Sequence, residues 1–225
     1  WQTTVASAGN LTSAVYRIFG KPFSEEGKKL FGVPFAQFLK LNSEFRYHYR
    51  IDKNQMIASR IAGGVIWSYG NATTAPYTEQ FYIGGANSVR AFSARSIGPG
   101  GYPPETDRKY TYINHVGDIR IEANIEYRFR MIADLHGAVF LDAGNVWLMR
   151  KDENRPNGEF TLKNFPKQIA LGTGFGLRYD LDFLVFRLDL GIGLHDPYDT
   201  GKSGYYNIPK FKDSMALHFA IGYPF

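Results

Sequence analysis

Apolar residues recur at every second position over long stretches, and this constrains the fold more than any other feature of the chain. In GDIRIEANIEYRF one face reads Ile119, Ile121, Ala123, Ile125, Tyr127 and Phe129, and the other Asp118, Arg120, Glu122, Asn124, Glu126 and Arg128. QIALGTGFGLRYD sets Ile169, Leu171, Phe175, Leu177 and Tyr179 against Gly172, Gly174, Gly176 and Arg178. FRLDLGIGLH sets Phe186, Leu188, Leu190, Ile192 and Leu194 against Arg187, Asp189, Gly191, Gly193 and His195. QFLKLNSEFRYHYR follows the same rule, and so does the final ALHFAIGYPF, with Leu217, Phe219, Ile221, Tyr223 and Phe225 on its apolar side. A soluble sandwich also alternates, but its strands average about five or six residues, whereas membrane strands run to about ten. The polar faces mix charges with glycines, which suits a wet or filled lumen. Aromatics gather near strand ends, at Tyr127/Phe129, Trp147 and Tyr223/Phe225, where an interfacial girdle is expected.

The connections carry equal weight. Strands are expected near 1–9, 35–50, 54–68, 117–130, 135–148, 167–180, 183–194 and 214–225. The intervening links then alternate long and short: 10–34, 51–53, 69–116, 131–134, 149–166, 181–182 and 195–213. Antiparallel strands place alternate links at opposite ends, so every long loop lies on one side and every tight turn on the other. Outer-membrane barrels have this asymmetry, with short periplasmic turns and long outer loops. The expected fold is all-β: a transmembrane antiparallel up-and-down barrel. Its first strand, WQTTVASAG, is weakly patterned, and the 69–116 loop is large for an eight-stranded lumen. The chain therefore reads as the C-terminal part, about eight strands, of a larger barrel.

Other classes find little support. Lys and Arg exceed Asp and Glu by 26 to 21 without forming a dense block, so nucleic acid is not an expected partner. There is no cysteine, which removes disulfides and thiolate metal sites. No apolar run is long enough for a membrane-spanning helix. His48, His115, His136, His195 and His218 show no metal-ligand spacing, and GxSxG is absent. GGANSVRAF is followed by no helix signal and is not a dinucleotide fingerprint. No enzyme and no cofactor are expected.

The 69–116 loop contains FYIGGANSVRAFSARSIGPGGY, from Phe81 to Tyr102. It is too glycine-rich for a strand and too aromatic for a disordered linker. Within it stands Val89-Arg90-Ala91-Phe92, and on a later strand Phe140-Leu141-Asp142-Ala143-Gly144. Glu126 lies on the strand between, and the sequence ends on Phe225. From about residue 35 to 225, in motif order and spacing, the chain resembles the BamA/TamA family of outer-membrane assembly and secretion pores. The texture is most similar to the TamA-type (TamL) proteins of Bacteroidetes. The family motif has glycine where Ala91 stands; alanine implies an ordinary backbone angle there, or strain.

The resemblance implies a barrel of about 16 strands, preceded in the intact protein by periplasmic POTRA repeats that this chain lacks. It implies a Gram-negative outer-membrane location and partners that are lipids, client polypeptides, and periplasmic or inner-membrane assembly proteins. It also implies a contact between Arg90 and Asp142, and a last strand, Leu217 to Phe225, that meets the first at a weak seam. The residues support the contact independently. With Val139, Leu141 and Ala143 facing lipid, Asp142 points inward, and Glu126 does so by the same parity. A loop folded into the lumen would bring Arg90 to both, and its guanidinium fork suits bidentate carboxylate binding. Gly84, Gly85, Gly98, Gly100 and Gly101 would let that loop turn sharply. Lumen-facing glycines on the later strands would either leave room for it or relieve strand curvature. Expected functions are insertion or translocation of outer-membrane polypeptides. The alternatives are the core insertion factor of the same family and a passive diffusion channel.

Overall fold

A computed structural model describes residues 1–104, 114–181 and 183–225. Part of the expected long loop, 105–113, and turn position 182 lie outside the described residues. The elements are β1 (Gln2–Ala8), α1 (Asn10–Ile18), β2 (Lys29–Leu30), β3 (Val33–Pro34), β4 (Phe38–Arg50) and β5 (Gln55–Ser68), then β6 (Ile119–Ile132), β7 (Leu135–Trp147), β8 (Ala170–Asp180), β9 (Val185–His195) and β10 (Met215–Ile221). One antiparallel sheet takes the order β1-β4-β5-β6-β7-β8-β9-β10, and β2-β3 form a small separate ribbon. The main sheet does not close on itself, and β1 and β10 are its two edges. It is thus a sheet of eight strands that fits the C-terminal part of a larger barrel.

Strand register follows the alternation. Asp142 of β7 stands opposite Asn124 of β6 and Gly172 of β8, so all three share the inner face. The outer face exposes Leu41, Phe45, Ile61, Ile125, Val139, Leu141, Phe175, Leu188, Leu217 and Phe219. A continuous apolar band of this kind is not stable against water and marks a membrane or partner surface. The tight turns at 51–54 and 133–134 lie at one end. At the first, the Asp52 carboxylate accepts the Asn54 amide at 2.7 Å; at the second, Ala133 adopts φ 45°. The long connections all lie at the other end.

Two expectations need correction, and one link holds elements that no expectation named. The 10–34 link contains α1, whose Leu11, Val15 and Ile18 repeat with helical spacing, and the β2-β3 ribbon. Trp147 is no girdle residue. The 149–169 connection folds back over it, so the ring is fully buried, packs edge-on to Phe160 and donates Nε1–H to Gln168 at 2.9 Å. The last strand stops at Ile221 rather than reaching 225. Gly222, at φ +82°, turns the chain, and Phe225 is buried instead of facing outward.

Candidate functional site: a loop held against the inner wall

Residues 81–102 lie on the inner face of the sheet and are fixed in two zones. Toward the long-loop end the attachment is apolar: Phe81, Ile83, Val89 and Ile97 pack with Phe38, Ile66, Val146 and Ala170. Burial of this kind contributes about 1.5–3 kcal/mol per large side chain. Deeper in, the attachment is ionic.

Val89-Arg90-Ala91-Phe92 forms a β-turn in which the Phe92 amide donates to the Val89 carbonyl at 3.1 Å. Arg90 and Ala91 occupy its central positions, and neither has a positive φ. Most residues fit such positions, so alanine in place of the family glycine carries no backbone strain. The non-glycine residue of 81–102 with a positive φ is instead Arg95, at φ 58°, whose guanidinium lies over the Tyr82 ring at 4.0 Å and donates to the Tyr77 hydroxyl at 2.6 Å. Gly84 and Gly98, at φ +98° and +77°, are the turning points where a side chain would strain the loop.

Arg90 is fully buried. Its backbone amide and Nε both donate to Oδ2 of Asp142, at 3.0 and 2.8 Å, and Nη2 donates to Oδ1 at 2.9 Å. Nη1 bonds Glu126 on the neighbouring strand. The Phe140 ring centre lies 3.5 Å from the guanidinium carbon, a stacked cation–π contact. Gly144 completes the strand motif on the same face: Ile83 packs against it where a Cβ would crowd. The structure therefore brings Arg90, Asp142, Glu126 and Phe140 together, with Gly144 against Ile83 nearby.

The network extends further. Glu126 also accepts from Arg128 at 2.7 Å and Arg178 at 3.1 Å, and Arg178 donates to Asp189 at 2.6 Å. Arg60 bonds Glu122 and donates to Asn124 Oδ1 at 3.0 Å and to the Asn87 carbonyl at 3.0 Å. Asn124 Nδ2 donates to Asp142 Oδ1 at 2.8 Å and to the Ser88 carbonyl at 3.0 Å. Arg187 donates to the Asn87 side chain at 2.5 Å. Asn87, Ser88 and Arg90 are thus held in succession by β5, β6, β7 and β9. Arg60, Asn124, Arg178, Arg187 and Asp189 were not singled out from the sequence. For Asn124, Arg178, Arg187 and Asp189 the signal was present, since each falls on the polar side of an alternating strand; Arg60 shares its face with Met56, Ala58, Ala62 and Ile66, which gives no such signal.

The wall glycines make room for this packing. A Cβ at Gly172 would overlap the Ala91 methyl, and one at Gly191 would overlap the Arg90 carbonyl. One at Gly174 would overlap the Phe140 ring, and one at Gly176 the Arg178–Asp189 pair. Of the two readings open at these positions, space for the lumen's contents has direct support.

The terminal segment does not place its predicted residues together. Leu217, Phe219 and Ile221 face outward and are exposed. Tyr223, past the strand, presents its ring to Arg128 at 4.6 Å and donates its hydroxyl to Asp180 at 3.4 Å. Phe225 turns inward: its ring lies 5.3, 5.6 and 6.0 Å from the guanidinium carbons of Arg60, Arg128 and Arg90, and its carbonyl accepts from Arg128 at 3.3 Å. Gly222 and Pro224 break the alternation that would have kept it on the outer face. Among the described residues no cluster of His, Cys, Asp or Glu has the arrangement of a metal site.

A family model described as "Omp85 superfamily domain" matches residues 29–225. The chain is 28% identical over 204 residues to the outer membrane protein assembly factor BamA of Nitratidesulfovibrio vulgaris, covering 88% of this chain and 22% of that protein. It is 29% identical over 89 residues to the outer membrane protein assembly factor BamA of Neisseria meningitidis serogroup B, covering 37% of this chain and 11% of that protein. The chain therefore spans less than a quarter of the length of these curated relatives. Among solved structures it is similar to BamA from Haemophilus ducreyi lacking POTRA domains 1-3, with a TM-score of 0.56 and 16% identity over 82% of this chain and 35% of that one. That last likeness is one of fold.

Proposed function

The chain belongs to the Omp85 superfamily, and on that premise we propose that it forms the C-terminal part of an outer-membrane barrel that inserts or translocates other polypeptides. The 69–116 loop acts as a plug pinned to the inner wall, and β10 borders the seam through which client strands reach the lipid. Periplasmic repeats and further strands precede it in the intact protein. The observation that carries this reading is the fully buried Arg90, bound bidentately to Asp142 and also to Glu126. A deep anchor suits a closed pore better than a steadily open channel. A pore that must stay shut until a client arrives is served by such an anchor. Edge pairing of a client strand with β10 would be β-augmentation. Partners are then outer-membrane lipids, client polypeptides and envelope assembly proteins of a Gram-negative cell.

Within the family, the glycine-rich loop and the AIGYPF ending favour a TamA-type role in a Bacteroidetes-like organism. Two curated relatives named as BamA give the core insertion factor specific support as a second reading. Photo-cross-linking from positions 217, 219 and 221 of the intact protein, during client insertion, tests the seam role. Adducts with a client strand are expected. No adducts during active insertion, or a large steady conductance of the wild-type pore in planar bilayers, would contradict the proposal.

A further inference from the structure

β10 is, with β1, the shortest strand of the main sheet at seven residues, and has one strand neighbour, β9, with which Met215 to Ile221 pair. Its outward residues are exposed, with Phe219 stacked on the Phe186 ring of β9 at 6.1 Å, and its contact with the loop comes from inside. His218 projects inward, opposite Asp189. Its Nε2 lies 2.9 Å from the backbone carbonyl of Arg90, and a carbonyl can only accept, so the imidazole donates. That carbonyl is seated over Gly191 of β9, where a Cβ would displace it. Arg90 therefore faces two ways. Its guanidinium and amide grip β6 and β7 through Glu126 and Asp142, and its carbonyl receives a bond from the edge strand. The Arg90 guanidinium also lies 6.0 Å from the Phe225 ring, beyond the end of the same strand.

We infer that His218 latches β10 to the motif loop, so that docking of the loop and order of the edge strand are one coupled equilibrium. This rests on β10 being the seam strand of the proposed pore, and it assigns His218 as a positioning residue. Two sites that share a link must influence each other equally: loosening the loop loosens β10, and loosening β10 loosens the loop.

The test uses the intact protein in lipid nanodiscs, with barrel folding confirmed by heat-modifiable gel mobility. Spin labels at positions 175 and 219 report the β8 to β10 distance distribution. Hydrogen exchange of a peptide spanning 81–102 reports loop docking. His218→Ala is expected to broaden the distance distribution and to speed exchange at 89–92 by about fivefold, the effect of one net hydrogen bond. His218→Gln, whose amide still donates at similar reach, is expected to behave as wild type. Gly191→Ala, which displaces the carbonyl without touching the histidine, is expected to reproduce the effect of His218→Ala. No change in either readout with His218→Ala, or a change in only one, would overturn the latch. Client insertion by the wild type is scored separately. Its failure removes the assembly reading and leaves the latch measurement standing.

Discussion

Replacing Arg90 with alanine exposes how the loop is held. The substitution removes the Nε and Nη2 bonds to Asp142, the bond to Glu126 and the stack on Phe140. Glu126 keeps two cations, Arg128 at 2.7 Å and Arg178 at 3.1 Å. Asp142 keeps Asn124 Nδ2 at 2.8 Å and the amide of residue 90, but loses its bidentate guanidinium. One buried carboxylate is therefore stripped of its directly bonded cation, not two. Breaking a buried pair costs about 3–5 kcal/mol, and the surviving donors place this case near the lower end, about 3 kcal/mol. At tenfold per 1.4 kcal/mol, the docked-to-undocked ratio of the loop falls by about 150-fold. Hydrogen exchange of the 81–102 peptide in the intact, nanodisc-embedded protein reads this directly, because opening free energies appear as exchange rates. A double-mutant cycle with Asp142→Ala sharpens it. Since both changes break one contact, the double variant should exchange little faster than either single one, with a coupling of about 2–3 kcal/mol. Arg90→Lys should lie between, keeping charge but losing the fork. Unchanged exchange in Arg90→Ala, or losses that simply add in the double variant, would refute the reasoning.

Gly172→Val should undock the motif turn by driving side-chain atoms into Ala91; faster exchange at 89–92 with the barrel still folded is expected, and wild-type protection would show that the glycine serves curvature alone. Phe225→Ala should destabilise the folded barrel by about 3 kcal/mol, seen as a lower urea midpoint, because a buried aromatic among Arg60, Arg90 and Arg128 is lost; an unchanged midpoint would place the ring in no packed site. Burial pushes the Asp196 carboxyl above its ordinary range, against the opposing influence of His195 and a Tyr198 hydrogen bond. The folded 196–208 loop thus binds this proton more tightly than the unfolded chain does, and its order is greatest at acid pH and declines as pH rises through the raised value. Exchange of that loop against pH should show the decline, and Asp196→Asn should flatten it.

Most of the strands were legible because their period of two is clear and each tight turn is short. Asp142 and Glu126 could be placed on the inner face by parity alone, and Arg90 was singled out by its motif. Parity fails where the backbone leaves the ladder. Phe225 occupies an outward position by counting, yet Gly222 redirects the chain and the lumen's arginines draw the ring inward. Trp147 is outward by the same count, but an outer connection folds over it. α1 went unseen because nine residues with apolar positions at 11, 15 and 18 carry a weak signal inside a link otherwise marked by turns. The wider network of Arg178, Arg187 and Asp189 lay on the expected face, but pairing across strands depends on register, which sequence spacing does not supply.

The rate at which an unfolded β-barrel client inserts into liposomes containing the intact protein tests the central claim most directly, with wild type and Arg90→Ala compared at equal amounts of folded pore. The account predicts that wild type accelerates insertion over empty liposomes and that Arg90→Ala loses most of this acceleration while remaining folded. Insertion no faster than in empty liposomes, or undiminished by Arg90→Ala, would contradict it.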